Sequence, residues 1–142
     1  MAFHSKVFLL LFFAATLVSS HTIRSLVDEC KKTVAISDEL EKSFLELQFP
    51  PEEEASRCLM HCIGETLQLF DGETGAVRLD NIKTLLGHGS ESSQEEFSEE
   101  HIKCLEEVSD DKEDSCSMAF QVYQCFEKEF LELMKKDLDE SK

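Results

Sequence analysis

The sequence predicts an all-α fold of about six helices cross-linked by disulfides. Three observations carry that prediction. Apolar residues recur at helical spacing in one segment after another, no run shows the alternation of a strand, and six cysteines fall in a chain of 142 residues that opens on what reads as a secretory leader.

The leader is residues 1–20, "MAFHSKVFLLLFFAATLVSS": a short basic start with His4 and Lys6, an apolar run from Val7 to Val18, and small residues at the end. Cleavage after Ser20 is expected. The run is too short for an ordinary membrane span, and no later segment approaches the roughly 20 apolar residues that one needs. The expected mature chain, 21–142, is a single secreted, extracellular domain without membrane insertion. It carries 13 basic against 30 acidic residues, a net charge of −17, a field that repels phosphate backbones and disfavours nucleic acid as a partner.

The first expected helix follows at once, since Ile23, Leu26, Val27, Cys30 and Val34 form one stripe. Ser37 or Asp38 can cap a second, shorter helix with Leu40, Phe44 and Leu47 on one face. "FPP" then stops the chain from turning, because a residue before proline is pushed out of the helical region. Pro51 suits the first turn of a third helix, with Glu52, Glu53 and Glu54 at the positive end of its dipole. Its expected buried face runs Ala55, Cys58, Leu59, Cys62, Ile63, Thr66 and then Leu69 or Phe70. Gly64 sits inside that helix at a cost of about 1 kcal/mol relative to alanine, compatible with a bend or with close packing.

"DGETG" (71–75) reads as a turn, and a short helix from about Leu79 to Leu86 follows, ended by "GHG". Ser93 with Glu96 is a capping-box pattern that can open a fifth helix, with His101, Cys104, Leu105 and Val108 on one face. After "SDDKEDS", one long final helix is expected to carry Cys116, Met118, Ala119, Val122, Cys125, Phe126, Phe130, Leu133 and Met134. Residues 126–142 form its tail.

An even cysteine count in a small secreted chain favours three disulfides. Side chains four apart on a helix have Cβ atoms roughly 5–6 Å apart, wider than the roughly 3.5–4.5 Å of a disulfide, so Cys58 and Cys62 are expected to bond to different segments. Cys116 and Cys125, nine apart on a continuous helix, point to opposite sides. These two exclusions leave ten of the fifteen possible pairings, and geometry does not choose among them.

The order Cys30, 27 residues, Cys58, three, Cys62, 41, Cys104, 11, Cys116, eight, Cys125 resembles the six-cysteine insect odorant-binding protein family. The gaps of three and eight are the specific part, and "CSMAFQVYQCF" (116–126) is similar to that family's final-helix segment. The resemblance implies three interlocked bonds, Cys30–Cys62, Cys58–Cys116 and Cys104–Cys125, in a shell of about six helices around an apolar cavity. It implies a carrier that transports odorants, pheromones or other semiochemicals through aqueous fluid, active in olfaction or a related role. It further implies no catalytic residue, no cofactor and no metal. A chemosensory receptor is the further partner implied, and the expected state is a monomer or weak homodimer.

Apolar stripes at helical spacing supply the candidates for a cavity lining: Ile23, Leu67, Leu79, Ile82, Leu86, Ile102, Met118, Phe120, Val122, Tyr123, Phe126 and Phe130. About half are expected to be closed core. With one Tyr, no Trp and 11 Phe, such a cavity would be mostly hydrocarbon. In the tail, Phe130 and Met134 could cover its mouth as a lid. Charging of His101 or His88 near pH 6 would offer a way to loosen it.

Competing chemistries fare worse. Cys58, His61, Cys62, His101 and Cys104 include zinc-ligand types, but His61 points about 100° from Cys62 on a helix and the secreted setting oxidises thiols. "DGETGAVRLDNI" fails as a calcium loop, with Ala76 and Ile82 where a glycine and a glutamate belong. "CLMHCIGET" lacks the aspartate that a phospholipase A2-like site needs beside its histidine, and no serine sits in a nucleophile elbow. The alternative from another class is a cytokine-like secreted helical protein with a closed core and a protein receptor.

Overall fold

The computed structural model of the chain describes residues 22–71, 73–87, 98–108 and 114–140. The expected leader, His88 and the Ser93/Glu96 pattern lie outside these residues. Among the described residues the chain forms seven helices: α1 (Ile23–Cys30), α2 (Asp38–Leu45), α3 (Glu54–Thr66), α4 (Leu79–Gly87), α5 (Glu99–Glu106), α6 (Ser115–Cys125) and α7 (Glu127–Glu140). The fold is all-α, cross-linked by three disulfides.

Short polar side chains start most of the helices. Thr22 and Ser25 exchange capping bonds at α1, and Ser37 accepts from the Leu40 N–H at 3.1 Å at α2. At α5 the described N-cap is Ser98, not the Ser93 of the sequence reading, and the residue three positions on that completes its box is His101. Asp114 caps α6 by accepting from the Ser117 N–H at 3.0 Å. Hydrogen bonds from Ser117 hold the Asp114 carboxyl below the usual carboxylate range. A depressed folded value means that the cap is fully present above the ordinary carboxylate range and is lost as pH falls through the folded value.

Two boundaries and one buried face differ from the sequence reading. Pro51 lies before α3 rather than in its first turn: its carbonyl, which a helical turn would offer to Ala55, accepts from the Arg57 guanidinium at 2.9 Å instead. The buried face of α3 is Ser56, Leu59, Met60, Ile63 and Gly64, with Cys58 and Cys62 at half-buried edges because their bonds leave sideways. The long final helix is two helices, broken at Phe126, whose φ of −120° and ψ of 19° leave the helical region. The break re-aims the chain, so that Phe126 and Phe130 enter different apolar clusters.

Two helix ends use non-glycine residues in the left-handed region: Leu47 (φ 62°) after α2 and Gln68 (φ 61°) after α3. In each, the next N–H reaches back into the helix, Gln48 to Ser43 O and Leu69 to Gly64 O, both at 2.8 Å. The turn after α3 then closes through the Phe70–Val77 bridge, which the sequence reading did not anticipate. Asp71 Oδ1 accepts from the N–H groups of Glu73 and Thr74, which depress its carboxyl. Gly75 takes the positive φ of 75° that completes the turn.

The core is double. One cluster joins α1, α2, α3, α6 and α7 through residues such as Leu26, Phe44, Leu59, Ile63, Phe120, Phe130 and Met134. Phe49, from "FPP", fastens the α2–α3 loop to it, 4.6 Å from Phe44 and 5.4 Å from Tyr123 between ring centres. The other cluster is Phe70, Ile82, Ala119, Val122 and Phe126.

The bonds are Cys30–Cys62 (α1 to α3), Cys58–Cys116 (α3 to α6) and Cys104–Cys125 (α5 to α6), enclosing 32, 58 and 21 positions. They are the pairs that the family resemblance implies. Loop entropy makes their worth to stability about 3.7, 4.2 and 3.3 kcal/mol in that order. Replacing each pair by serine is therefore expected to lower the unfolding free energy most for Cys58/Cys116 and least for Cys104/Cys125, as read by urea titration of the three variants. Acid is expected to leave the wild-type far-UV CD spectrum unchanged from pH 7 to about 5, with helix loss beginning only below about 4, as the Asp114 and Asp71 carboxylates protonate.

Candidate ligand cavity

The two clusters meet along a seam that side chains do not fill. Met60, Ile63 and Gly64 of α3 form one wall, continued by Leu67, Leu69 and Phe70. Ile82, Leu85 and Leu86 of α4 form a second. Ala119, Val122 and Tyr123 of α6, with Phe126 at the break and Phe130 of α7, complete the lining. The volume open to the centre of a water molecule is about 40 Å³, a few times the roughly 10–15 Å³ that one water needs. Walls of hydrocarbon offer water few hydrogen-bond partners, so such a space rewards an apolar guest by burial.

Tyr123 is the lining residue with a polar group on its side chain, and that group is committed elsewhere. Burial, and then the negative charge and hydrogen bond of Glu127, push its phenol well above the ordinary value. It therefore stays protonated and donates to Glu127. Its ring packs edge-on against Phe49, Phe120 and Phe130, with centres 5.4 to 5.6 Å apart. Tyr123 serves the cavity as an aromatic wall.

His101 stands behind Phe126 and joins α5 to α7. Its ring stacks on Phe126 with centres 4.8 Å apart, and its Nε2 lies 2.8 Å from Glu129 Oε1. The Ser98 N–H donates to Nδ1 at 3.3 Å, so Nδ1 carries no hydrogen and Nε2–H faces the carboxylate. A second proton would oppose the Ser98 bond while strengthening attraction to Glu129. His61 pairs with Glu65 at 3.0 Å on α3. Among the described residues no three His, Cys, Asp or Glu side chains gather into a group that could hold a metal.

Comparison with known proteins supplies the classification. The family model for the PBP/GOBP family matches residues 15–129, and all six cysteines lie within that stretch. The chain belongs to the PBP/GOBP family. This family of insect odorant-binding proteins comprises non-enzymatic carriers. A relative, Odorant-binding protein 22 of Aedes aegypti, is 31% identical over 110 residues, which cover 78% of this chain and 75% of that one. The crystal structure of Odorant-binding Protein 22a of Anopheles gambiae is similar with a TM-score of 0.58 at 26% identity, covering 75% of this chain and 98% of that one. A second structure of that protein, with bound odorant cyclohexanone, has a TM-score of 0.58 at 26% identity and covers 80% and 96%.

Within this family member the twelve residues singled out from the sequence divide by place. Leu67, Ile82, Leu86, Val122, Tyr123, Phe126 and Phe130 line the seam cavity. Ile23 and Phe120 are buried in the larger cluster, away from the cavity. Leu79, 43% exposed, and Met118 line a separate, more open groove with Val77, Leu105 and Val108. Ile102 is 49% exposed on α5. The apolar stripes identify faces but not which of two clusters a face meets. Seven lining residues were not among the twelve: Met60, Ile63, Gly64, Leu69, Phe70, Leu85 and Ala119. Gly64 carried a signal, since a glycine at mid-helix needs a reason.

A lining that offers no free polar group makes a sharp expectation for Tyr123. Tyr123→Phe should leave the affinity for an apolar fluorescent probe within about twofold, because the lost hydroxyl faces Glu127 and the ring remains. A loss of about tenfold would mean that the phenol contacts the guest.

Proposed function

We propose that the protein is a secreted carrier of small hydrophobic molecules, odorants or other semiochemicals, taken up reversibly in the seam cavity and moved through aqueous fluid. The observation that carries this reading is the hydrocarbon-lined cavity held inside a disulfide frame. A relative of the same fold binds cyclohexanone, a compact and mostly apolar guest. Secretion, with removal of residues 1–20, belongs to the reading, as does delivery to a chemosensory receptor; among the described residues no helix is long and apolar enough to cross a membrane.

α7 is the closing wall in this reading. Phe130 reaches the cavity, while Leu133 and Met134 fasten the same helix into the larger cluster. Met134 thus anchors the lid rather than capping the mouth. His101, hydrogen-bonded to Glu129 next to Phe130, couples α7 to α5.

The test is displacement of N-phenyl-1-naphthylamine by cyclohexanone and by straight-chain volatile compounds. Displacement at micromolar concentration is expected. A chain that binds neither probe nor volatile, yet captures a receptor ectodomain, overturns the carrier reading in favour of a signalling protein. Phe130→Ala is expected to raise the ligand off-rate about tenfold, equivalent to about 1.4 kcal/mol, in stopped-flow dilution. An unchanged off-rate removes α7 as a lid, and equal affinity at pH 7.5 and 5 removes acid release.

A further inference from the structure

We propose that Gly64 and Phe70 act together as the size selector of the cavity, setting how large a guest the carrier admits; the inference rests on the carrier reading above. Gly64 lies in the middle of α3, where a glycine weakens the helix. The compensation is close approach. A Cβ at this position would overlap Cε2 of the Phe70 ring and stand 2.8 Å from its Cδ2. Both residues line the cavity, so the ring is seated in the niche left by the missing side chain, at the boundary of the binding space.

Neither partner can retreat without straining a disulfide or breaking the hydrogen bonds that hold the turn closed. α3 is held on two sides by the Cys30–Cys62 and Cys58–Cys116 bonds. The backbone around Phe70 is fixed by Leu69 N–H to Gly64 O, Arg78 N–H to Leu69 O and Asp71 N–H to Ala76 O, each 2.8 Å. The Asn81 amide adds a bond to Gln68 O at 2.6 Å, tying the same turn to α4. The His61 ring packs beside Phe70 with centres 5.9 Å apart, so the ring is hemmed in on that side too. A methyl placed at Gly64 must then either occupy cavity space itself or drive the Phe70 ring further into it.

The consequence is directional. Gly64→Ala shrinks the space, and Phe70→Leu enlarges it by giving up the outer part of the ring while keeping an apolar residue in the niche. A hydrophobic site discriminates by about tenfold or more for each methylene that fits badly. The wild-type pair should thus favour compact, ring-sized guests over extended chains.

The experiment is competition by two series, ring ketones of increasing ring size and straight-chain alkanols of increasing length, against a bound N-phenyl-1-naphthylamine probe, for wild type, Gly64→Ala and Phe70→Leu. Matching CD spectra and melting temperatures establish that the variants are folded. Gly64→Ala is expected to lose about tenfold in affinity for the larger members of each series and little for the smallest, and Phe70→Leu to shift the optimum to larger members. Either variant, folded and binding with the wild-type order of preference, overturns the selector. Should Gly64→Ala fail to fold, Phe70→Leu decides alone. A wild-type protein that none of the compounds displaces overturns the carrier reading itself, which is a different outcome from binding with unaltered preference.

Discussion

The pairing of α3 with α6, closed by the Cys58–Cys116 bond, is the constraint on which the rest depends. The Cα atoms of that bond are 4.5 Å apart, so the two helices approach closely at one end. Each then carries a second bond outward, Cys62 to α1 and Cys125 to α5. A chain of this size buries a modest core and depends on such restraints for stability. Because the frame is held covalently, the interior need not close completely. Two apolar clusters can meet at an unfilled seam.

The same bonds divide the cavity into a held half and a free half. Every cysteine lies on α1, α3, α5 or α6, so α3 and α6 present fixed walls. α4, the turn from Leu67 to Arg78 and α7 carry none, and they reach the cavity through Ile82, Leu86, Phe70 and Phe130. About 40 Å³ of open space is little room for a guest. Uptake therefore has to move a wall, and the walls free to move are those without a disulfide. The bond from Asn81 to Gln68 O and the Phe70–Val77 bridge are what such a movement must strain or break.

Much of the frame was legible in the sequence. Apolar spacing located the helices, and Ser37 and "FPP" marked real boundaries. The four-residue gap between Cys58 and Cys62 said that they part company. Spacing left ten pairings open, since local geometry carries no information about which distant segments meet. The break at Phe126 was hidden because Phe126 and Phe130 share a face of an ideal helix, and only tertiary packing shows them in different clusters. Ile102 and Leu79 look like core by composition and are exposed. Leu69 or Phe70 was expected to end the α3 stripe, but both follow a left-handed Gln68, and a reversal of that kind ends any helical register. Gly64 was compatible with a bend or with close packing, and only the folded chain shows that the Phe70 ring fills the niche.

Hydrogen exchange of the oxidised protein, with and without a bound apolar ligand, tests this division most directly. Amides of α3 and α6 are expected to exchange only with global unfolding, and those of α4 and the preceding turn by local opening. Ligand should slow exchange chiefly in α4, the turn and α7. Uniform protection across α3, α4 and α6, unaltered by ligand, would contradict a fixed frame with a yielding wall.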